Sequence, residues 1–540
     1  MLTLIKADKV LVNGKIHNFS GSSITALAIY DSRIALLGSD NEILESAGPN
    51  TEVINLSGRL VTPGFIDTHV HPAMAGATMT GDIDFKTLQP KSILEFQEIV
   101  RKKVSETQKG CWIKGWGYDE ERFTEARLPN RWEIDTIAPN NPVFLIQTCG
   151  HVATANSRAL EIGKVSKDMD DPKQGIIDRN HNGEPTGVLR NRAQRLIKKH
   201  LPRNGHRRMK EDLRMALERL ASYGVTSIHD AWAGPSLITL YQELLSEGRL
   251  PLRVGLIPPI ANQFEGDYLS QLTSLGLKTG FGSHMIRFVG AKVALDGMLR
   301  SGTAALRENY VGKKGDMGLL TIDKDVLQDK VQTCHAAGIR VCIHAEGDRG
   351  IDTALDVIEM AKAENPEVNL RHRIEHFGLC YAEQINRMNK LGVIPSVSIN
   401  FIRDIGEGYE KVLGPKRIEW VYPLKTLEDY GIIGSCNSDW PVSVGNPMIG
   451  IHSAVARKTW KENDLGVSQK VTVDEAVKAY TWNGAYASNE EEIKGSIEVG
   501  KFADLAVIDR DIFTVPVDII LEAKVDMTLL GGQIVYQRAI

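Results

Sequence analysis

Eight runs of aliphatic and β-branched residues, set between segments of helical periodicity, constrain this chain more than any other feature. They are GFIDTHV (64–70), VTSIHD (225–230), LRVGLIP (252–258), MIRFVGAKV (285–293), IRVCIHA (339–345), RHRIEHF (371–377), GVIPSVS (392–398) and GIIGSCNSD (431–439). Between them lie stretches such as KEDLRMALERLASYG and DKDVLQDKVQTCHAAG, where Leu, Ala and Val recur at spacings of three and four. Continuous apolar strands alternating with helices imply an α/β fold with a parallel sheet covered on both faces. Eight such units suggest a closed (β/α)₈ barrel of the TIM type, with an open doubly wound sheet as the alternative.

Residues 71–224, between the first two runs, are far too many for a strand-to-helix connection. This insertion after strand 1 contains CWIKGWGYDEERF, NPVFLIQTCGHVATANSRAL and IDRNHNGEPTGVLR, and 72–220 are expected to contain a lobe. In a barrel the connections at the C-terminal ends of the strands surround the active site, so the lobe would lie over it as a wall or lid. Residues 1–62 read as short strands, and 496–540 have the same texture in SIEVGKFADLAVIDRD and VDMTLLGGQIVYQ. Neither end offers enough strands for a core of its own. The economical reading pairs both ends into one small β-sandwich, with 63–495 as the barrel between them.

Lys and Arg (64) nearly balance Asp and Glu (68), for a net charge of -4. Such a chain lacks the basic field that nucleic acid or an anionic membrane would need. Six cysteines without a C-x-x-C pair read as reduced thiols, not as a disulfide framework or a Cys-type zinc site. The opening MLTLIKADKVLVNGKI has no apolar core followed by a cleavage site, and no uncharged apolar run reaches a membrane span. A cytoplasmic location is therefore expected, with a homodimer as the commonest assembly for such a chain.

The strongest local signal is Asp67-Thr68-His69-Val70-His71, at the end of the first run. Alternation along a strand turns His69 and His71 to one side, ~6–7 Å apart, where two imidazoles can share a metal ion. A lone H-x-H recurs by chance, so its weight comes from where other ligand-type residues fall. His344 ends the fifth run (CIHAEGD), His376 the sixth (RIEHF) and Asp439 the eighth (NSDWP). All stand at the C-terminal ends of strands, where barrels place their chemistry. Lys292, in the fourth run, would be costly to bury as an unpaired ammonium and cannot itself ligate a metal. It either pairs with an acid such as Asp296 or has reacted with carbon dioxide to give a carbamate, whose two oxygens can bridge two metals.

His69-x-His71, Lys292, His344, His376 and Asp439 match the metal-ligand pattern of the amidohydrolase superfamily. The phrases TPGFIDTHVHP, GWGYDE, LPNRWEID, NPVFLIQTCGHVATANSRAL, VALDGMLRSGTAAL, IHAEGDRGIDTALD, RIEH, NSDWPV and GSIEVGKFADLAVID resemble its amidohydrolase 3 branch. That branch includes N-substituted formamide deformylase and YtcJ-like chains, and the resemblance spans nearly the whole sequence. It supports the barrel, the inserted lobe and the split sandwich. Two departures stand out: Glu346, where relatives more often carry a small or aliphatic residue, and Asn437, where glycine is common. Glu346 would add a charge to the pocket.

The resemblance implies one ion held by His69, His71, the Lys292 carbamate and Asp439, and a second held by the carbamate, His344 and His376. Such ligands suit zinc, with manganese, iron or cobalt as alternatives. Two ions bridged this way lie ~3.5–4 Å apart and share a hydroxide that is nucleophilic at neutral pH. Asp439 would take its proton and pass it to the departing nitrogen. The implied activity is hydrolysis of a C–N bond in a small-molecule amide or N-substituted formamide. The same ligands serve deaminases, carbamate, ester or lactone hydrolases and, rarely, isomerases. A non-catalytic binding or scaffolding descendant would be expected to have lost ligands, and here every one is present.

Further residues are candidates for substrate contact, each with a structural role as its alternative. His151 is placed near the pocket by the resemblance, and His229 ends the second run. Trp116, Tyr118 and Trp440 would give an apolar lining or pack the lobe. Asp296 and Arg300 would orient substrate or pair with each other, and Asp67 would anchor the H-x-H strand.

Overall fold

The computed structural model describes residues 6–21, 23–202, 204–261 and 266–539; residues 1–5, the start of the MLTLIKADKVLVNGKI segment, lie outside them. The eight runs form strands at Phe65–Val70, Val225–Asp230, Arg253–Leu256 with Pro259–Ala261, Ile286–Phe288 with Ala291–Ala294, Val341–Ala345, Arg373–His376, Ile394–Val397 and Ser435–Cys436. Each pairs in parallel with the next. The third and fourth runs are interrupted near their middles, so the ladder divides into sheets of four and six strands. Pro258 has no N–H to give at one interruption, yet contact continues through Val289 N–Leu256 O (3.0 Å) and Lys292 N–Pro258 O (2.9 Å). The first and last runs also meet, through Asp439 N–His69 O (2.9 Å) and Thr68 Oγ1–Cys436 O (3.0 Å).

Most of these strands are buried along their length because both faces are covered. Val341–Ala345 is buried throughout. The helix Lys324–Ala336 turns Leu327, Val331 and Cys334 inward. The helix Asp348–Glu364 does the same with Ile351, Ala354, Leu355 and Ile358, spacings that place them on one face. The eighth run is the shortest strand, since the chain turns away at Asn437–Asp439, with Asp439 at φ 52.

Both chain ends share a second structure. Lys9–Val12, Ala26–Tyr30, Arg33–Gly38 and Glu52–Asn55 form one sheet; Lys15–Ile16 and Leu60–Pro63 join Leu505–Ile508, Val525–Leu530 and Gln533–Gln537 in another. Leu505–Ile508 runs antiparallel to Leu60–Pro63, pairing Ile508 with Leu60. Leu11, Leu27, Val61, Leu505 and Leu529 share one core between the sheets. Arg253, on the third run, makes a buried two-bond contact with Asp504 (2.7 and 2.9 Å) that ties this region to the parallel strands.

The long interval after the first strand builds a six-stranded sheet from Ile83–Asp84, Ile113–Tyr118, Val143–Gln147, Val152–Ala155, Gly175–Arg179 and Pro185–Asn191. It leans on the segment after the eighth strand, where Trp116 Nε1 donates to Pro441 O (3.1 Å) and Thr148 Oγ1 to Val442 O (3.2 Å). A buried Arg300–Asp119 ion pair (Nη1–Oδ2 3.1 Å) ties it to the segment after the fourth. All six cysteines are unpaired, and five are buried. Among the described residues, no helix is long and apolar enough to cross a membrane.

At the opposite end of the strands, two buried histidines form a hydrogen-bonded relay. Val341 N donates to His372 Nδ1 (3.1 Å), His372 Nε2 to His335 Nδ1 (2.9 Å), and His335 Nε2 to Asn365 O (3.1 Å). Each link consumes the only available proton, so both rings must be neutral. Burial, reinforced for His372 by Arg340 and Lys362, holds both below the ordinary imidazole value. Because the folded values are depressed, stability is present above pH ~6.5 and is lost as pH falls below it. Urea denaturation should show stability dropping below that pH by up to ~1.4 kcal/mol per pH unit for each ring. His372→Asn should flatten the slope; an unchanged slope would contradict the relay.

Candidate active site

The C-terminal ends of the parallel strands enclose a cavity of about 190 Å³. His69, His71, Lys292, His344, His376 and Asp439 all line it, with Trp116, Cys149, His151, Lys198 and Trp232 around them. The six residues come from the first, fourth, fifth, sixth and eighth runs, so only the fold brings them together. One ligand atom each from His69, His71 and Asp439 lies within 4.8 Å of the others. Asp439 Oδ1 is 3.1 Å from His71 Nε2 and 3.7 Å from His69 Nε2. The His376 ring centre is 4.5 Å from that of His69 and 4.4 Å from that of His344.

Hydrogen bonds behind the cavity fix which nitrogen of three imidazoles carries a lone pair. Arg373 donates through Nε and Nη2 to both oxygens of Glu375 (each 2.8 Å), leaving Glu375 a carboxylate that accepts from His69 Nδ1 (2.5 Å). His69 Nε2 is therefore the acceptor, and Lys292 Nζ lies 3.0 Å from it. Asn437 Nδ2 donates to Ser396 O (3.0 Å), so its Oδ1 accepts from Ser398 Oγ (2.8 Å), which accepts from His376 Nδ1 (2.9 Å). That leaves the lone pair of His376 on Nε2. His344 gives its Nε2 proton to Gly297 O (2.9 Å), leaving Nδ1. Neutral imidazole is the ligating form, and burial holds His69 and His376 well below the usual value, helped by Lys292 and the neighbouring rings.

Lys292 is buried, and this brings its ammonium down to about 8 against the pull of Glu375 and Asp439. Asp439 Oδ1 is buried and accepts no hydrogen bond among the described residues, having only the two imidazole nitrogens beside it. His376, Phe377 and Asp439 sit at φ 68, 53 and 52, left-handed conformations that cost about 1–3 kcal/mol each for non-glycine residues. The turn at Asp439 is pinned by Asp67, which accepts from Ser438 N (3.1 Å) and Ser438 Oγ (2.5 Å). Burial lifts the Asp67 carboxyl to about 7 despite these donors. Asp67 thus anchors the H-x-H strand to the eighth run.

Several other residues lie differently from the sequence reading. Asp296 pairs with neither Lys292 nor Arg300: its oxygens accept from the backbone N–H groups of Ala305, Glu346 and Gly347, and its Oδ1 lies 3.3 Å from His344 Nε2. Arg300 is held by Asp119. His229 lies outside the cavity lining, and its Nδ1 accepts from Arg373 (2.8 Å). Glu346 is also outside the lining; it accepts from Leu299 N (2.7 Å), and burial raises its carboxyl well above the usual carboxylate range. Tyr118 packs in the lobe against Thr154, and Trp440 does not reach the lining. Trp116 does, as does His151, whose Nδ1 is engaged by Asn191 Oδ1 (2.9 Å). Arg373, Glu375, Ser398, Lys198 and Trp232 were not singled out from the sequence. For Arg373 and Glu375 the available signal was the Arg-x-Glu-His sequence, which makes up a whole buried strand.

The family model described as "Amidohydrolase family" matches residues 52–536. The chain belongs to the amidohydrolase family. It is 29% identical over 546 residues to N-substituted formamide deformylase of Arthrobacter pascens, covering 98% of each chain. It is 31% identical over 553 residues to Protein LONG AFTER FAR-RED 3 of Arabidopsis thaliana, covering 98% of this chain and 92% of that one. A crystal structure of an uncharacterized metal-dependent hydrolase from Pyrococcus furiosus superposes with a TM-score of 0.73 at 29% identity, covering 94% of this amidohydrolase-family chain and 100% of that one.

Removing Glu375 from this arrangement would leave the Arg373 guanidinium, itself fully buried, without its carboxylate. Glu375→Ala should lower unfolding free energy by about 3–5 kcal/mol, measured by urea denaturation at neutral pH. A loss below about 1 kcal/mol would show that the pair does not organise the site.

Proposed function

We propose that this amidohydrolase-family chain is a metal-dependent hydrolase of a C–N bond in a small-molecule amide or N-substituted formamide. The parallel strands close into a (β/α)₈ barrel, a reading supported by the contacts between the first and eighth runs. The two-sheet unit drawn from both chain ends flanks a barrel domain of residues 63–495, within which 72–220 contain the inserted lobe.

The observation that carries the reading is the donor set. His69, His71 and Asp439 are close enough to share one ion, and His376 and His344 present further imidazole nitrogens beside them. The buried, otherwise unbonded Asp439 Oδ1 fits a cation. We assign His69, His71 and Asp439 to one divalent ion and His344 and His376 to a second, with Lys292 as a carbamate shared between them. Lys292 suits that role because a buried amine at about 8 keeps a useful neutral fraction, the form that adds to carbon dioxide with loss of one proton. Imidazole and carboxylate-type donors favour zinc. Divalent ions held here would supply Lewis acidity toward a carbonyl oxygen and would bring the pKa of water toward ~7.

The protein's own groups do the rest. Asp439 accepts a proton from the attacking water and delivers it to the leaving nitrogen, so the C–N bond breaks as a neutral amine departs. Trp116 and the backbone around Cys149 and Gly150 wall the cavity on the lobe side and restrict bulk water. His151, which burial brings down to about 3, stays neutral and positions substrate by hydrogen bonding.

Metal analysis of protein purified without chelator should give two equivalents per chain for the wild type and fewer for Lys292→Ala, with loss of amidase activity. One equivalent that persists in Lys292→Ala would remove the lysine from the metal centre. Asp439→Asn should lower kcat by about 10²–10⁴-fold; turnover within tenfold of wild type would place the proton transfer elsewhere.

A further inference from the structure

Lys198 and Trp232 line two spaces: the catalytic cavity, and a wider outer cavity of about 860 Å³. The described lining of the outer cavity also includes Arg195 and Lys199, and it contains no Asp or Glu. Arg195 further lines an adjoining space of about 340 Å³ together with Arg192. The acid described there, Asp267, is held by Lys330 at 2.6 Å. The whole chain carries a charge of -4, so the cations along this approach are a local feature. Four of them fall within residues 192–199, where the lobe strand Pro185–Asn191 ends and short helical turns carry the chain across the cavity mouth.

We infer that the substrate carries an anionic group, a carboxylate or a phosphate, distant from the scissile bond, and that Lys198 and Arg195 recognise it. This rests on the proposal that the inner cavity cleaves an amide. Among the described residues that line it, the catalytic cavity has mainly imidazoles and apolar groups, with Lys198 as the one cation beyond the residues assigned to the metals. The outer cavity offers cations from one continuous segment. A cleft lined by one sign of charge with low-dielectric walls concentrates ligands of the opposite sign. Arg195 and Lys198 have other interactions, but a guanidinium has five N–H donors and an ammonium three, so each can take an anion beside an existing partner. A guanidinium also matches the two-oxygen edge of carboxylate or phosphate. A neutral substituent in the same place would desolvate these cations without replacing the lost interaction.

The test uses three compounds that differ only in their distal group: N-formyl-β-alanine, N-formyl-2-aminoethyl phosphate and N-formyl-β-alaninamide. With metal-loaded wild type, at least one anionic compound should exceed the neutral one in kcat/KM by about tenfold, chiefly through KM. The larger ratio tells which anion the site takes. That ratio should shrink in Lys198→Gln and in Arg195→Gln, and as salt is raised. A ratio near one in wild type, or one that survives both substitutions, overturns the inference. If none of the three is hydrolysed, the amide reading fails, and calorimetric titration of the same compounds decides the charge question separately. Tighter binding of an anion, weakened by both substitutions, supports it; equal or unmeasurable affinities overturn it.

Discussion

The placement of His69, and with it the joining of three strands beneath the cavity, depends on a buried chain of hydrogen bonds from Arg373 through Glu375 to His69. Arg373 contacts Glu375 on its own strand, Thr68 O on the first (2.7 Å) and His229 on the second, so one guanidinium fastens three strands. Burying a guanidinium and a carboxylate costs several kcal/mol each before their attraction is counted, and a well-packed apolar cluster could be as stable. What an apolar cluster could not do is hold His69 in one tautomer. The ion pair is therefore best understood as orienting a ligand, with the stability it brings a secondary matter.

The same logic repeats around the cavity with other partners. Asn437 and Ser398 orient His376, Gly297 O orients His344, and Asp67 with Ser438 fixes the turn that presents Asp439. In His69, His344 and His376 one ring nitrogen is occupied by a protein partner, which leaves the other for the cavity. Three residues held at positive φ, His376, Phe377 and Asp439, show the backbone strained where the donors converge. The inserted lobe completes the enclosure from outside through Trp116 and Thr148, whose bonds reach the segment following Asp439.

Much of this was legible in the sequence because it follows from periodicity. Apolar runs alternating with amphipathic helices gave the strand order, and the position of a His or Asp at the end of a run gave its place in the cavity. Lys292 stood out because an amine among apolar residues demands an explanation. Side-chain direction beyond the strand ends was not legible. His229 ends a run as His69 does, yet it faces Arg373, since a buried guanidinium accepted a neighbour that the sequence does not link to it. Asp296 and Arg300 are four residues apart, but Asp296 is taken up by backbone N–H groups and His344 Nε2, and Arg300 by Asp119, far away in the lobe. Asn437 looked like a departure from the family pattern; in the folded chain it sets the hydroxyl that orients His376. Lys198 lies in a stretch without periodicity, and only the packing of the lobe brings it to the cavity.

The most direct examination of the proposed centre is anomalous X-ray diffraction at the zinc edge from crystals grown with zinc and bicarbonate. Two anomalous peaks should appear in the cavity, one among His69, His71 and Asp439 and the other beside His344 and His376. Density should extend from Lys292 Nζ by the three atoms of a carboxyl group. Peaks elsewhere on the surface with none in the cavity would refute the metal centre. A single peak beside an unmodified lysine would keep the hydrolase and discard the shared carbamate.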